Sequence, residues 1–252
     1  MTVPELVRYL DADTLAEAAA GRLVAAVVEA QEQREFAHVV LTGGGIGTAV
    51  LSALGTSPAV AAIDWQRIHL WWGDERYLPT GDLERNDTSA HELLIDHVAI
   101  PREHVHSING PDRSETPELS AQNYEQLLLT AGSGVIPTFD VVLLGIGPDA
   151  HVASLFPEYP QTHEDRFVVA VHNSPKPPAT RVTLTFAALN TSRQAWILAS
   201  GESKAEALRL ALDPMAGPRQ IPASGIRALH TLFLADSSAT KELPADFGRP
   251  GA

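Results

Sequence analysis

The residues whose types and spacing most clearly suit catalysis lie in the segment VVLLGIGPDAHVASLFP, which begins at Val141. An apolar strand is predicted to enter a turn that contains Gly145 and Gly147 and presents Asp149 and His151. Glycine lets the chain leave a strand sharply and lets a ligand approach the backbone amides. An imidazole oriented by a nearby carboxylate can act as a general base near neutral pH. Taken alone, however, an Asp-x-His pair is more often a capping Asp and a surface His in a turn.

A second glycine segment, Thr42-Gly43-Gly44-Gly45, follows another short apolar stretch and precedes Thr48. Glycine amides at the start of a helix can bind an anion without help from cationic side chains. A tight strand-to-helix turn explains the same residues equally well. The segment has neither the GxGxxG spacing of dinucleotide sites nor the lysine of a Walker loop, so neither nucleotide fingerprint is supported.

Polar residues also follow the next predicted strand, RIHLWW, in the segment WGDER that ends at Arg76. Asp74 can accept a hydrogen bond from a sugar hydroxyl, and Arg76 offers a planar fork of donors to a phosphate. Such charge clusters are more often solvated surface. Their position at the end of a buried strand favours a site instead.

Two further loops carry cations. The proline-bounded segment PKPPATR contains Lys176 and ends at Arg181, and its prolines reduce the entropy lost when a loop orders around a ligand. A rigid connector would have the same composition. Lys204, in the segment GESK, lies at a predicted helix start, where the helix dipole disfavours a cation and an anionic ligand would offset the cost.

Composition restricts the partners of the 252-residue chain. Its formal net charge of −13 disfavours nucleic acid and anionic membranes as partners, so an anionic ligand must be bound by local groups. The sequence has no Cys, which excludes disulfides and thiolate nucleophiles and is consistent with a reducing compartment. The acidic N-terminal stretch does not resemble a signal peptide, and no segment is long enough to span a bilayer. We therefore expect a cytoplasmic protein.

The histidines raise the question of a metal centre. His104 and His106, and the pair His91 and His97, have no HExxH motif or other strong ligand spacing around them. We expect no metal site. A GxSxG elbow is also absent, so serine nucleophile chemistry has no local support.

Apolar periodicity places the candidate residues on an alternating series of strands and helices. This alternation predicts an α/β fold with a mostly parallel sheet. We expect one domain over residues 1–242 and a flexible Pro/Gly-rich tail over 243–252. The predicted helices cover 13–34, the stretch after the glycine triplet, 88–98, 119–131 and 202–212; the predicted strands cover 38–41, 67–72, 139–144, 167–171, 181–185, 195–199 and 230–234.

In chain order, LTGGGIG, WWGDERYLP, the pair RN at 85–86, LLGIGPDAHVASLFP, SPKPPATRVTLT and SGESKAEAL resemble the motif series of the 6-phosphogluconolactonases. The resemblance extends from about Leu41 to Leu208. It implies a modified Rossmann-like three-layer fold shared with glucosamine-6-phosphate deaminases and ribose-5-phosphate isomerases. It also implies a carboxylic ester hydrolase that converts 6-phospho-D-glucono-1,5-lactone to 6-phosphogluconate in the oxidative pentose phosphate pathway. No cofactor is implied, and we expect a monomer, with a homodimer as the alternative.

The resemblance also implies roles for individual residues. His151 falls on the family's general base. The residues assigned to the substrate's phosphate are Gly43, Gly44, Gly45, Arg76, Arg181 and Lys204; those assigned to the sugar ring and to ordering the site are Asp74, Asn86 and Asp149.

Two positions depart from the family pattern. Ala150 replaces a usual glycine before the histidine, and its methyl group would be strained in a left-handed conformation. The glycine loop reads GGGIG instead of the common GGSTP, which leaves backbone amides and Thr48 as donors.

Two other functions remain as alternatives. Amino-sugar-phosphate isomerases and deaminases carry Phe-Asn-Glu-Pro after the histidine motif, whereas this chain has SLFP over residues 154–157 and lacks that acid. A non-catalytic sugar-phosphate-binding regulator should carry a DNA-binding module or lack the base. This chain has His151 and no basic N-terminal module, so the lactonase is favoured.

Overall fold

The computed structural model describes residues 4–251, which form ten strands and six α-helices with short 3-10 turns between them. The strands are β1 (Glu5–Tyr9), β2 (Ala37–Leu41), β3 (Ile68–Trp72), β4 (Asp74–Arg76), β5 (Val141–Gly145), β6 (Val168–Val171), β7 (Arg181–Leu184), β8 (Gln194–Ala199), β9 (His230–Asp236) and β10 (Arg249–Pro250). The helices are α1 (Ala12–Gln33), α2 (Gly44–Thr56), α3 (Asn86–Leu93), α4 (Pro117–Ala131), α5 (Phe186–Leu189) and α6 (Ala205–Ala211).

Seven strands form one parallel sheet in the order β10-β1-β9-β8-β5-β2-β3. The central strands β5 and β8 are apolar and buried almost throughout, as expected for parallel strands covered on both faces. Helices α1 and α2 pack on each other and on this sheet. The predicted α/β class with a mostly parallel sheet is confirmed.

A second, antiparallel sheet joins β4, β7 and β6. The predicted strands over 167–171 and 181–185 are confirmed as β6 and β7, but they pair with each other outside the parallel sheet, and β4 was not predicted. Parallel neighbours need a crossover of a dozen or more residues. Only residues 172–180, without a helix, join β6 to β7, so these strands pair antiparallel.

The parallel sheet brings the candidate loops together. Strands β2, β3, β5 and β8 are neighbours or near neighbours, and the five segments singled out above follow them or lie beside them. In open α/β sheets, ligands bind outside the carboxyl ends of such strands. The topology therefore places the site at this edge.

The first and last strands, β1 and β10, pair at the edge of the sheet opposite β3. Strand β1, which the sequence did not predict, lies between β9 and β10. The Arg8 guanidinium donates to the carbonyl oxygens of Phe247, at 2.8 Å, and Pro244, at 2.6 Å. Residues 243–251 thus contact β1, and their flexibility stays a prediction; positions 1–3 and 252, which the domain boundaries also include, lie outside the described residues.

Smaller differences concern helix ends. The predicted helix over 88–98 begins at Asn86 and ends at Leu93, because Leu94 leaves the helical region and a 3-10 turn follows. The predicted helix over 202–212 divides into a 3-10 turn, Glu202–Lys204, and α6. Within residues 4–251, no helix combines the length and the apolar character needed to cross a membrane.

Candidate functional site

A cavity of about 400 Å³ opens at the carboxyl edge of the parallel sheet. Its size is in the range of small-molecule sites. All of the candidate residues from the sequence line it except Asp149 and Thr48, so the lining includes Gly43, Gly44, Gly45, Asp74, Arg76, Asn86, His151, Arg181 and Lys204.

His151 and Asp149 form a direct pair at one side of the cavity. Nδ1 of His151 lies 2.5 Å from Oδ1 of Asp149. Burial raises the pKa of Asp149, but the hydrogen bond and electrostatic attraction of His151 and the positive charge of Lys176 outweigh it and bring that pKa below its ordinary value. An ionised Asp149 accepts a hydrogen bond from the protonated Nδ1 of His151, which leaves Nε2 as the basic nitrogen.

Gly147 makes room for this pair. A Cβ atom there would lie 1.9 Å from Nδ1 of His151 and 2.4 Å from Oδ1 of Asp149. The amide of Gly147 also donates to the carbonyl of His151 at 2.9 Å, which closes the turn. A side chain at Gly147 is therefore incompatible with the observed pair.

Two alanines in the same turn have left-handed backbones. Ala150 has φ +64 and Ala153 has φ +48. Such a conformation costs an alanine roughly 1–2 kcal/mol. Ala150 therefore has the left-handed conformation in which, from the sequence, we expected its methyl group to be strained. This strain explains why the family pattern has glycine at that position.

Lys176 reaches the same pair and was not among the site residues predicted from the sequence. Its Nζ lies 3.2 Å from Nδ1 of His151 and 3.3 Å from Oδ1 of Asp149. The scarcity of lysines and the position of Lys176 in a proline-bounded loop were the signals that could have included it. The pair therefore works next to a fixed positive charge.

The glycine segment brings the start of α2 to the cavity. Gly43 precedes the helix, and a Cβ there would lie 1.8 Å from Oδ1 of Asn86, so only glycine permits this approach. Gly44 has φ +77, which favours glycine. Thr48 lies inside α2 and does not line the cavity, so its position gives no support for a donor role.

Arg76 and Lys204 carry unused donors at the cavity. Nη1 of Arg76 donates to the carbonyl of Glu84, whereas its Nε is buried without a partner among residues 4–251. Lys204 forms no ion pair with any described residue, and burial together with the charge of Lys176 lowers its pKa. A buried donor such as Nε of Arg76 normally has a partner, and the partly exposed Lys204 lines the cavity without an ion-pair partner among the described residues, so both groups are suited to an anionic ligand.

Arg181 is arranged differently because its donors point to protein oxygens. Nη2 lies 3.3 Å from the carbonyl oxygen of Lys176 and 3.0 Å from that of Pro177, and Nε lies 3.3 Å from that of Pro178. Nη1 lies 3.7 Å from Oδ2 of Asp74. Arg181 thus holds the loop that carries Lys176, and its predicted phosphate contact stays a prediction.

A buried charge network that the sequence did not predict supports Asp74 and Asn86. The side-chain Nδ2 of Asn86 donates to the backbone carbonyl of Asp74 at 2.9 Å, and the backbone N–H of Asn86 donates to Oε1 of Glu75 at 2.8 Å. Arg85 binds both carboxylate oxygens of Asp87, at 2.8 and 2.6 Å. Burial, aided by the charge of Asp87, raises the pKa of Glu75 to about 7. The WGDER segment is therefore buried framework as well as cavity wall.

The histidines considered as metal ligands have other neighbours. His106 stacks on Trp71 with ring centroids 3.8 Å apart, and its Nε2 lies 2.8 Å from Nδ1 of His69. In the described part of the chain, no group of three or more His, Asp or Glu side chains is placed to hold a metal ion.

Several curated proteins resemble this chain over nearly its whole length. The 6-phosphogluconolactonase of Streptomyces coelicolor is 48% identical, with 99% of this chain and 98% of that protein covered. The 6-phosphogluconolactonase of Mycobacterium tuberculosis is 44% identical, with 94% and 97% covered.

Solved structures give the same picture. A 6-phosphogluconolactonase from Thermotoga maritima has a TM-score of 0.78 at 29% identity, over 92% of this chain and all of that one. A monomeric glucosamine-6-phosphate deaminase has a TM-score of 0.79 at 21% identity, over 94% and 99%, and shares the fold. The family model described as glucosamine-6-phosphate isomerases/6-phosphogluconolactonase matches residues 10–234. The chain therefore belongs to the glucosamine-6-phosphate isomerase/6-phosphogluconolactonase family.

Proposed function

We propose that this protein hydrolyses 6-phospho-D-glucono-1,5-lactone to 6-phospho-D-gluconate. The proposal is based on one cavity that contains two kinds of group. His151, which is oriented by the Asp149 carboxylate, lies in the same cavity as Arg76 and Lys204, whose side chains have donors without partners within residues 4–251. Two relatives named 6-phosphogluconolactonase, at 48% and 44% identity, support the same reaction.

In the proposed mechanism, His151 acts twice. Its Nε2 takes a proton from water, and the hydroxide attacks the lactone carbonyl carbon. When the tetrahedral intermediate collapses, the bond from that carbon to the ring oxygen breaks, and Nε2 returns the proton to this oxygen. The new carboxylic acid then loses its own proton to solvent. Asp149 keeps the imidazole in the required tautomer, and Lys176, which also lines the cavity, adds positive charge beside this pair.

The phosphate is proposed to bind at the other groups of the cavity. Arg76, Lys204 and the amides at the start of α2 provide charge and donors. Binding energy gained there fixes the lactone relative to His151 and is used at the carbonyl.

The deaminase or isomerase alternative fits the cavity less well. Where those enzymes carry the Glu of Phe-Asn-Glu-Pro, this chain has Phe156. Its buried ring lies 4.7 Å from the His151 ring and 5.9 Å from the Arg181 guanidinium carbon. An apolar ring cannot transfer the protons that ring opening and isomerisation require.

The test compares substrates on the purified protein. Freshly generated 6-phosphogluconolactone should disappear well above its spontaneous rate, and glucosamine 6-phosphate should release no ammonia. Lactone loss at the spontaneous rate would contradict the proposal. Ammonia release would instead support the deaminase.

We further propose that the enzyme is a cytoplasmic monomer. The composition without Cys, which suits a reducing compartment, supports this location. Sedimentation at micromolar concentration should give the mass of one chain, and the mass of two chains would establish the homodimer.

A further inference from the structure

Ser154 joins the turn that bears His151 to the antiparallel sheet. Its side chain is completely buried. Its Oγ donates to Oδ2 of Asp74 at 2.6 Å, and its amide donates to Oγ1 of Thr183 at 3.2 Å. Asp74 and Thr183 face each other as register partners on β4 and β7. One serine therefore attaches the turn to two paired strand positions.

The turn needs such an attachment because its backbone is strained. Ala150 and Ala153, on either side of His151, both have positive φ. Strained residues keep their conformation only when surrounding contacts enforce it. On the Ala150 side, the carbonyl of Ala150 accepts from the amide of Ala223 at 2.9 Å. On the other side, Ser154 supplies the contact directly after Ala153.

The same contact fixes the Asp74 carboxylate. Ser154 donates a hydrogen bond to Oδ2 of Asp74, and Nη1 of Arg181 lies 3.7 Å from the same oxygen. Oδ1 makes no hydrogen bond with residues 4–251, although Asp74 lines the cavity. One oxygen is thus held by the protein, and the other remains for a ligand hydroxyl.

We propose that Ser154 is a positioning residue for lactone hydrolysis, because it sets His151 and Asp74 in one fixed arrangement around the substrate. The inference rests on the proposed function. It predicts an effect on turnover, since the groups with unused donors, Arg76 and Lys204, are not touched by Ser154.

The test is a double-mutant cycle on the whole protein. Ser154→Ala should lower kcat about tenfold and leave KM within about twofold, because small displacements of a catalytic group cost large factors in rate. Added to Asp74→Ala, the same change should lower kcat less than threefold further, since the partner of its hydroxyl is gone. Ser154→Cys, with a weak donor of similar shape, should give an intermediate kcat.

Ser192→Ala is the matched control. Ser192 is also buried, and its hydroxyl donates to the carbonyl of Leu189 at 2.7 Å, away from the cavity. Both alanine variants should shift the urea midpoint by similar amounts, but only Ser154→Ala should change kcat.

Three results would overturn the inference. The first is a kcat of Ser154→Ala within twofold of that of Ser192→Ala. The second is a further tenfold loss of kcat when Ser154→Ala is added to Asp74→Ala. The third, if Ser154→Ala does not fold, is a kcat of Ser154→Cys equal to that of wild type. Failure of the proposed function would appear separately, as wild-type turnover no faster than spontaneous hydrolysis.

Discussion

At the scale of single residues, the site depends on close contacts that only small side chains allow. Gly147 leaves space for the hydrogen-bonded pair of His151 and Asp149, and Gly43 leaves space for Asn86. These glycines are therefore part of the catalytic geometry, although they carry no functional group.

Gly147→Ala should lower kcat by about 100-fold or more, because the new methyl group would overlap His151 and displace it. Gly21→Ala is the control, since a Cβ at that position in α1 meets no atom within 4 Å. It should leave kcat unchanged and raise the free energy of unfolding by about 0.5–1 kcal/mol. Equal kcat values for the two variants would show that the pair tolerates the methyl group.

Ala150→Gly should be less destabilising than Ala228→Gly, at a position outside helices and strands, by about 1–2 kcal/mol. Both alanines are buried and both substitutions remove one methyl group, but only Ala150 has a left-handed backbone that glycine relaxes. Urea unfolding of the two variants measures the difference. Equal losses of stability would mean that Ala150 is not strained.

At the scale of elements, the sequence was most informative where strands are continuous apolar runs. Strands β2, β3, β5 and β8 were predicted within a residue or two of their observed bounds. Parallel strands that are covered on both faces are continuous apolar runs, so their prediction does not depend on an alternation of apolar and polar residues. Because their loops follow directly, most of the candidate site could also be predicted.

The elements that were missed depend on tertiary contacts. Strand β4 has the polar sequence DER and becomes a strand only by pairing with β7. Strand β1 has charged residues at Glu5 and Arg8, and its partners lie at the far end of the chain. Lys176 enters the site because Arg181 holds its loop; the proline-bounded sequence indicates a rigid loop but not the contact with Arg181 that places the lysine beside His151.

A histidine cluster at β2 and β3 makes the pH dependence of stability predictable. His38 stacks on His69 with centroids 4.9 Å apart, and His69 lies beside His106. Burial, together with charges within the cluster, lowers the pKa of His38 and His69 to about 4 and that of His106 to about 3, from 6.5. Because the folded state disfavours protonation, stability should be full above pH 6.5 and be lost progressively as the pH falls toward 4.

His106→Phe tests this prediction, because it keeps a ring against Trp71 and removes one titrating group. The urea midpoint should fall less between pH 7.5 and pH 4.5 than in wild type. His230→Phe, at an exposed position on β9, should retain the full wild-type fall. A fall of equal size in both variants would exclude His106 as a source of the acid sensitivity.

At the scale of the whole molecule, a chain of net charge −13 gathers four cations around one cavity. Arg76, Lys176, Arg181 and Lys204 all line it. Binding of a phosphate ester therefore depends on local charge and not on the overall field, which repels anions.

Arg76→Ala should raise KM by about 10- to 100-fold with a smaller change in kcat, because it removes a charged donor worth roughly 1.5–3 kcal/mol. Arg209→Ala removes the same charge from α6, where Arg209 pairs with Glu242 away from the cavity. It should leave KM unchanged. Equal increases in KM for both variants would mean that net charge, and not the site, governs affinity.

The most direct measurement is the turnover of His151→Ala with freshly generated 6-phosphogluconolactone, after subtraction of spontaneous hydrolysis. Loss of a general base should lower kcat by about 10²- to 10⁴-fold. Inhibition by inorganic phosphate should change less than about threefold, since Arg76 and Lys204 remain in place. Turnover equal to that of wild type would contradict the assignment of His151 as the base.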